Sequence, residues 1–150
     1  MATPLLLAPA GSREAVTAAL SAGAGAVYVG AGRFGRGGER IGLAPGEIAG
    51  AVAECRDAGA TLHVAMNAVP RAADVPRFLS ALRRLRDDGI GTAILNDPGL
   101  ISLARREFPG LRICASVGVS TMNAAEAAFY REIGADADVR AVYLGRAGHG

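Results

Sequence analysis

A unit of helix stop, short apolar run and polar loop recurs along this chain, and the recurrence narrows the possible folds more than anything else. Gly23 precedes Ala26-Val27-Tyr28-Val29, Asp57-Ala58-Gly59 precedes Leu62–Met66, Asp88-Gly89 precedes Ala93–Leu95, and Ile133-Gly134 precedes Ala141–Leu144. Glycine ends a helix because it takes the left-handed cap conformation at no steric cost. A continuous apolar run rich in β-formers is what a strand buried on both faces requires. Units of this kind, repeated in order, predict a parallel sheet with helical crossovers.

Between these units the remaining elements fall into place. Leu5–Leu7 reads as a first strand, followed by the tight loop Ala8–Gly11 and a helix capped by Ser12 and running to about Ala22, with Glu14 at the positive end of its dipole. Pro45 suits the first turn of a second helix, whose buried face carries Ile48, Val52 and Cys55. Asp74 is placed to cap a third helix with the clearest stripe in the chain: Val75, Phe78, Leu79, Leu82 and Leu85. Asp97 caps and Pro98 starts a fourth helix, ending near Phe108. Leu111–Ala115 reads as a fifth strand, and Asn123 with Glu126 has the spacing of a capping box for a fifth helix.

That makes about six strands and five helices, against the eight of each and about 250 residues of a complete (β/α)₈ barrel. Two architectures fit: part of a barrel, or an open doubly wound sheet. Gly30-Ala31-Gly32-Arg33-Phe34-Gly35 spells G-x-G-x-x-G after a strand, but Arg36-Gly37-Gly38-Glu39-Arg40 is a poor helix start, so a dinucleotide site is not expected. The regular units favour α/β of the partial TIM-barrel type. Residues 1–150 are expected to form one barrel segment, the N-terminal part of a larger barrel, with its first and last strands unpaired. Open edges of that kind are a route to a homo-oligomer.

Composition sets outer limits. With 51% hydrophobic and 20% charged residues, the 150-residue chain can build a real core and is not a disordered one. The formal net charge of +2 does not by itself indicate a nucleic acid. No apolar stretch approaches the roughly 20 residues of a membrane span, so no membrane partner is expected. Cys55 and Cys114 are far apart and unpatterned, which points to a reducing compartment, the cytoplasm, without a disulfide framework.

In either architecture ligands bind beyond the carboxyl ends of the strands. That rule selects Pro9, Gly11, Arg33, Arg36, Asn67, Asn96, Asp97, Ser116 and Arg146 as the rim set, suited to a peptide or small anionic ligand. No histidine or acid stands at a telling offset from Ser116, so a Ser-His-Asp arrangement is unsupported. His63, inside a strand, reads as an interior histidine. No H-E-x-x-H or C-x-x-C pattern is present, so no metal site is expected within these residues. Arg83-Arg84-Leu85-Arg86, followed by Asp87-Asp88, reads as a charged outer helix face.

Several stretches together resemble the collagenase-like peptidase family of unassigned catalytic type. They are Leu6–Ser12, Ala22–Gly30 with Phe34, His63–Asn67, Asn96–Leu100, and Ala115-Ser116 followed by Asn123. The resemblance implies a TIM-barrel-like domain and a peptidase acting on a peptide or amide substrate. It carries over Asn67 and Ser116 as candidate catalytic residues, with Asn123 and Arg36 in supporting, substrate-binding positions. The chain departs from the family pattern at Cys114, where a histidine is usual, and at Gly35–Gly38.

The resemblance also implies an alternative, because some relatives hydroxylate RNA or quinones with an iron–sulfur cluster held outside the segment matched here. On this alternative no cofactor is expected within these residues. A further alternative is a non-catalytic half-barrel scaffold.

Overall fold

A computed structural model of the protein describes residues 5–38, 42–119 and 121–138. Six parallel strands form one sheet: β1 (Leu7–Pro9), β2 (Ala26–Gly30), β3 (Thr61–Met66), β4 (Thr92–Leu95), β5 (Arg112–Ala115) and β6 (Ala137–Asp138). Between successive strands run α1 (Arg13–Ser21), α2 (Ile48–Asp57), α3 (Val75–Asp87), α4 (Pro98–Glu107) and α5 (Ala124–Glu132). The strands lie in chain order across the sheet, from β1 at one edge to β6 at the other.

That order decides between the two expected architectures. A doubly wound sheet reverses direction at a switch point and covers both faces with helices. A sheet in strict chain order is singly wound and keeps its helices on one side, which is barrel winding. The two faces differ accordingly. On one, Val27, Val29, Leu62, Val64, Met66, Leu95 and Ile113 pack with Val16, Ile48, Phe78 and Ile101 of the helices in the main core. On the other, Ala65, Ile94 and Cys114 form a small cluster with Tyr28. These are the inward positions of a barrel wall.

The recurring glycines do what the pattern predicts. Gly23, Gly59, Gly89 and Gly134 have φ of 86°, 71°, 90° and 115°. After each, the next residue's N–H reaches back five positions: Ala24 to Ala19, Ala60 to Cys55, Ile90 to Leu85, and Ala135 to Tyr130. This is the Schellman closure, and in every case that next residue is buried, so the chain turns inward to start a strand.

Two expectations, the start of β1 and the Asp74 cap, are not met. β1 begins at Leu7 rather than Leu5, and Leu5 and Leu6 are 61% and 60% exposed. The strand instead extends to Pro9, which an edge strand tolerates because its missing N–H breaks no inner ladder. A sixth strand is present, but at Ala137–Asp138, paired with Cys114 and Ala115; the expected Ala141–Leu144 lies outside the described residues. Asp74 does not cap α3 with its side chain, because a 3₁₀ turn over Ala72–Asp74 leads into the helix. Its carboxylate turns to Arg33, Arg71 and Arg77.

The other caps hold. Ser12 Oγ accepts from the N–H of Ala15 at 3.3 Å, and Asp97 Oδ1 from that of Leu100 at 2.8 Å. Asn123 Oδ1 accepts from the N–H of Glu126, whose carboxylate reaches the N–H of Met122, one residue before the position a strict capping box uses. Pro45 opens a 3₁₀ turn ahead of α2. Arg105 of α4 clasps the last unit, donating to the carbonyls of Gly134 and Pro109 and pairing with Asp136, which in turn accepts from the N–H of Ile113.

Candidate functional site

The sheet register brings the strand tips level. Met66, Leu95 and Ala115 are cross-strand partners, so Asn67, Asn96 and Ser116, each one residue on, stand side by side just past the ends of β3, β4 and β5. Side chains alternate along a strand. Asn67 therefore shares the face of Ala65, Asn96 that of Ile94, and Ser116 that of Cys114, which is the barrel-facing side.

Loops from either flank close over these three. After β2 the chain makes a 3₁₀ turn at Gly32–Phe34 rather than opening a helix. The next residues bring the Arg36 N–H to Asn67 Oδ1 at 3.0 Å. From there the Arg36 side chain crosses to the loop after β5. A Cβ at Gly118 would collide with both the Arg36 guanidinium and Asn96 Oδ1. Glycine at 118 thus lets a cation from the second connection and an amide from the fourth meet over the fifth.

Each sequence-selected residue except Arg146 has a definite place. Ser116 is 2% exposed, and its Oγ accepts from the N–H of Gly118 at 3.2 Å, so the hydroxyl shapes the turn Val117–Val119. Asn67 is half-buried and holds the Arg36 loop through its backbone. Asp97 and Asn123 cap α4 and α5. Arg33 lies over the Phe34 ring, 5.5 Å from its centroid, and donates to Asp74 at 3.3 Å. Arg146 lies outside the described residues. Among the described residues Asn96 Oδ1 is buried without a hydrogen-bond partner, as is Thr121 Oγ1 in the loop after β5. A buried acceptor without a donor costs free energy, so the Asn96 amide is poised to receive one.

The mouth therefore offers a guanidinium that donates and a carbonyl oxygen that lacks a donor, side by side. Such a pair recognises a group carrying an acceptor next to an N–H. His63 lies lower on β3, bonded through Nε2 to Thr61 Oγ1 at 3.1 Å, and burial, with the charge of Arg112, holds its pKa below the usual histidine value. A recess of about 640 Å³ between the β2–α2 connection and α3 is lined by Phe34, Leu43, Ile48 and Leu85 and holds none of the strand-tip residues.

Sequence reasoning missed Gly118, whose demand for glycine comes from two distant side chains. It also missed the role of Asp74, whose partner Arg33 is 41 residues away. No local signal announces either. An iron–sulfur cluster does not fit the residues here. Cys55 belongs to the helical core and Cys114 to the opposite face of the sheet. Among the described residues no three His, Cys, Asp or Glu side chains are grouped to hold a metal.

Comparison with known structures finds the same fold. The U32 peptidase Mk0906 superposes with a TM-score of 0.76 at 17% identity, over 92% of this chain and 58% of that one. A putative phosphonomutase from Burkholderia cenocepacia gives 0.65 at 16% identity, over 91% and 64%. At the sequence level the chain is 31% identical to tRNA hydroxylation protein P of Escherichia coli over 134 residues, 89% of this chain and 30% of that protein. Against tRNA hydroxylation protein P of Haemophilus influenzae it is 30% identical over 131 residues, covering 87% and 28%. Protein P1 of Bacillus subtilis is also 30% identical, over 89% and 32%.

The chain thus spans about a third of the length of these relatives. Their names correct the peptidase activity expected from the family label: the matched relatives of known role are tRNA hydroxylation proteins, and the hydroxylation alternative is the better supported one. The family model of peptidase family U32 matches residues 11–146, and the chain belongs to that family.

Proposed function

We propose that this protein serves the hydroxylation of tRNA, with the strand-tip mouth receiving part of the RNA substrate. The observation that carries this reading is identity of about 30% to three tRNA hydroxylation proteins along 87–89% of the chain. The chemistry of the mouth supports it. Nucleobases present adjacent donors and acceptors at their edges, and proteins read unpaired ones through hydrogen bonds to those edges. Arg36 would donate to a base carbonyl while Asn96 Oδ1 accepts from a neighbouring N–H. Asn67 would hold the Arg36 loop, and Ser116 would fix the turn that carries Gly118.

On this reading the oxidising chemistry is supplied by a group held outside these residues. No described helix is long and apolar enough to cross a membrane. On this reading the protein works in the cytoplasm, as its two unpatterned cysteines suggest.

The test is nucleoside mass spectrometry of tRNA from cells lacking the gene, complemented with wild type, Arg36→Ala or Asn96→Ala. Wild type restores the hydroxylated nucleoside, and both variants leave it depleted. An unchanged hydroxylated pool in the deletion strain would overturn the reading.

A further inference from the structure

Beside the mouth lies a second set of cations that the proposed base contacts do not use. Asp74, its side chain 12% exposed, is approached by Arg33 Nη2 at 3.3 Å, Arg71 Nε at 3.5 Å and Arg77 Nη1 at 3.9 Å. One carboxylate cannot neutralise three guanidiniums, so a positive surplus remains. The Arg71 and Arg77 side chains are 89% and 72% exposed, and pairs this open and this long hold their partners weakly.

Arg77 and Arg84 lie seven positions apart on one face of α3. With Arg33, Phe34, Pro76 and Ser80 they line a recess of about 370 Å³. Among the described residues no acid forms an ion pair with Arg84. The rest of the basic run on α3 is engaged elsewhere. Arg83 and Arg86 lie over the Phe108 ring at 5.9 and 5.3 Å, and Arg86 pairs with Asp87. The run as a whole is the outer face expected of it, and Arg84 alone joins the recess.

Position and spacing indicate the ligand. Arg33 stands three residues before Arg36 in the loop after β2, and Arg71 and Asp74 lie in the connection that Asn67 opens. Arg33, Arg71 and Arg77 are therefore on the same rim as the mouth, and Arg84, in the last turn of α3, carries the patch from that rim down the helix. Arg77 and Arg84 are about 10 Å apart along the helix axis at 1.5 Å per residue, a spread wider than one small anion and suited to a run of phosphates. Guanidiniums are the side chains that bind phosphate oxygens in paired fashion.

We infer that Arg33, Arg71, Arg77 and Arg84 form a phosphate-backbone contact patch for the RNA strand whose base enters the mouth. The inference rests on the tRNA reading above. Binding to the patch displaces the shared hold on Asp74 without disturbing the fold, because these guanidiniums are exposed and Asp74 keeps whichever partner the phosphates leave.

The test is fluorescence anisotropy of labelled tRNA with the purified protein across a potassium chloride series. Wild type, Arg77→Ala/Arg84→Ala and the remote control Arg106→Ala on α4 are compared, with melting curves for each. Two lost phosphate contacts should lower the slope of log affinity against log salt by about 1.4 to 1.8. Affinity near 0.1 M salt should weaken about tenfold or more, uniformly across tRNA species. Arg106→Ala should match wild type, and Arg77→Lys should retain most of the slope, because the charge is kept.

Wild-type binding with an unchanged slope in the double variant overturns the patch and leaves the hydroxylation reading standing. Wild type that fails to bind tRNA overturns the patch as well, and the deletion strain then reports separately on the reading beneath it.

Discussion

A Cβ at Gly118 would fall against the Arg36 guanidinium and Asn96 Oδ1, both outer ends of side chains that can swing aside. Gly118→Ala should therefore fold with a melting temperature close to wild type and still lose the arrangement at the mouth. Displacing one positioned donor by about an ångström can cost on the order of 100-fold in rate. The hydroxylated nucleoside in complemented cells should fall accordingly, and normal hydroxylation by the folded variant would remove Arg36 from the site. His63 gives a prediction that does not depend on function. Burial, then the charge of Arg112, holds its pKa below 6.5 in the folded state. Above that pH the ring is neutral in both states and contributes nothing. As pH falls below it, the unfolded chain takes up a proton that the folded one resists, so stability declines until the folded-state pKa is reached. Urea midpoints at about pH 7.5 and about pH 5 should show this decline in wild type, and His63→Gln should lessen it.

At the scale of elements the helix ends carry the clearest energetic signature. Gly59 sits at φ 71° with open space where a Cβ would go, so Gly59→Ala meets only backbone strain, about 1–2 kcal/mol. Gly46, in the 3₁₀ turn before α2, also has open space, and its φ lies outside the left-handed region. Gly46→Ala should be neutral or stabilising by up to about 1 kcal/mol, because it restricts the unfolded chain. Chemical denaturation of the pair separates the two effects, and equal destabilisation by both would contradict the cap assignment. The same helix ends explain why so much of the fold was legible beforehand. A Schellman closure, the Ser12 cap and the Asp97-Pro98 start are each decided within about six residues, so the local sequence contains the whole cause. Asp74 looked like another such cap and is not one, since Arg33 reaches it from the previous unit. β1 shifted for a similar reason: its limits are set by where Ala26–Tyr28 offers partners, not by where its own leucines begin.

For the molecule as a whole, the sequence favoured barrel winding through the regularity of its units, but strand order itself needed the structure, since both windings use the same local units. The site was half legible on the same grounds. Asn67, Asn96 and Ser116 follow from counting one residue past each strand, whereas the meeting of Arg36 with Asn96 over Gly118 needs three connections to be placed in space. Single winding has an energetic consequence that can be measured. Ile101, fully buried on α4, lies in the main core, while Ile94 on β4 belongs to the small cluster with Ala65, Cys114 and Tyr28 on the barrel side. Truncating a buried isoleucine to alanine costs about 2–5 kcal/mol, more where many neighbours are held rigidly around the cavity. Ile101→Ala should fall toward the upper end of that range and Ile94→Ala toward the lower, read as shifts in urea midpoint at constant m. Equal costs would mean that both faces of the sheet carry comparable cores, as a doubly wound sheet would, and the strand tips would then not form the rim of a barrel wall. A small cost at Ile94 with a large one at Ile101 is what a wall with one packed side and one side open to a ligand requires.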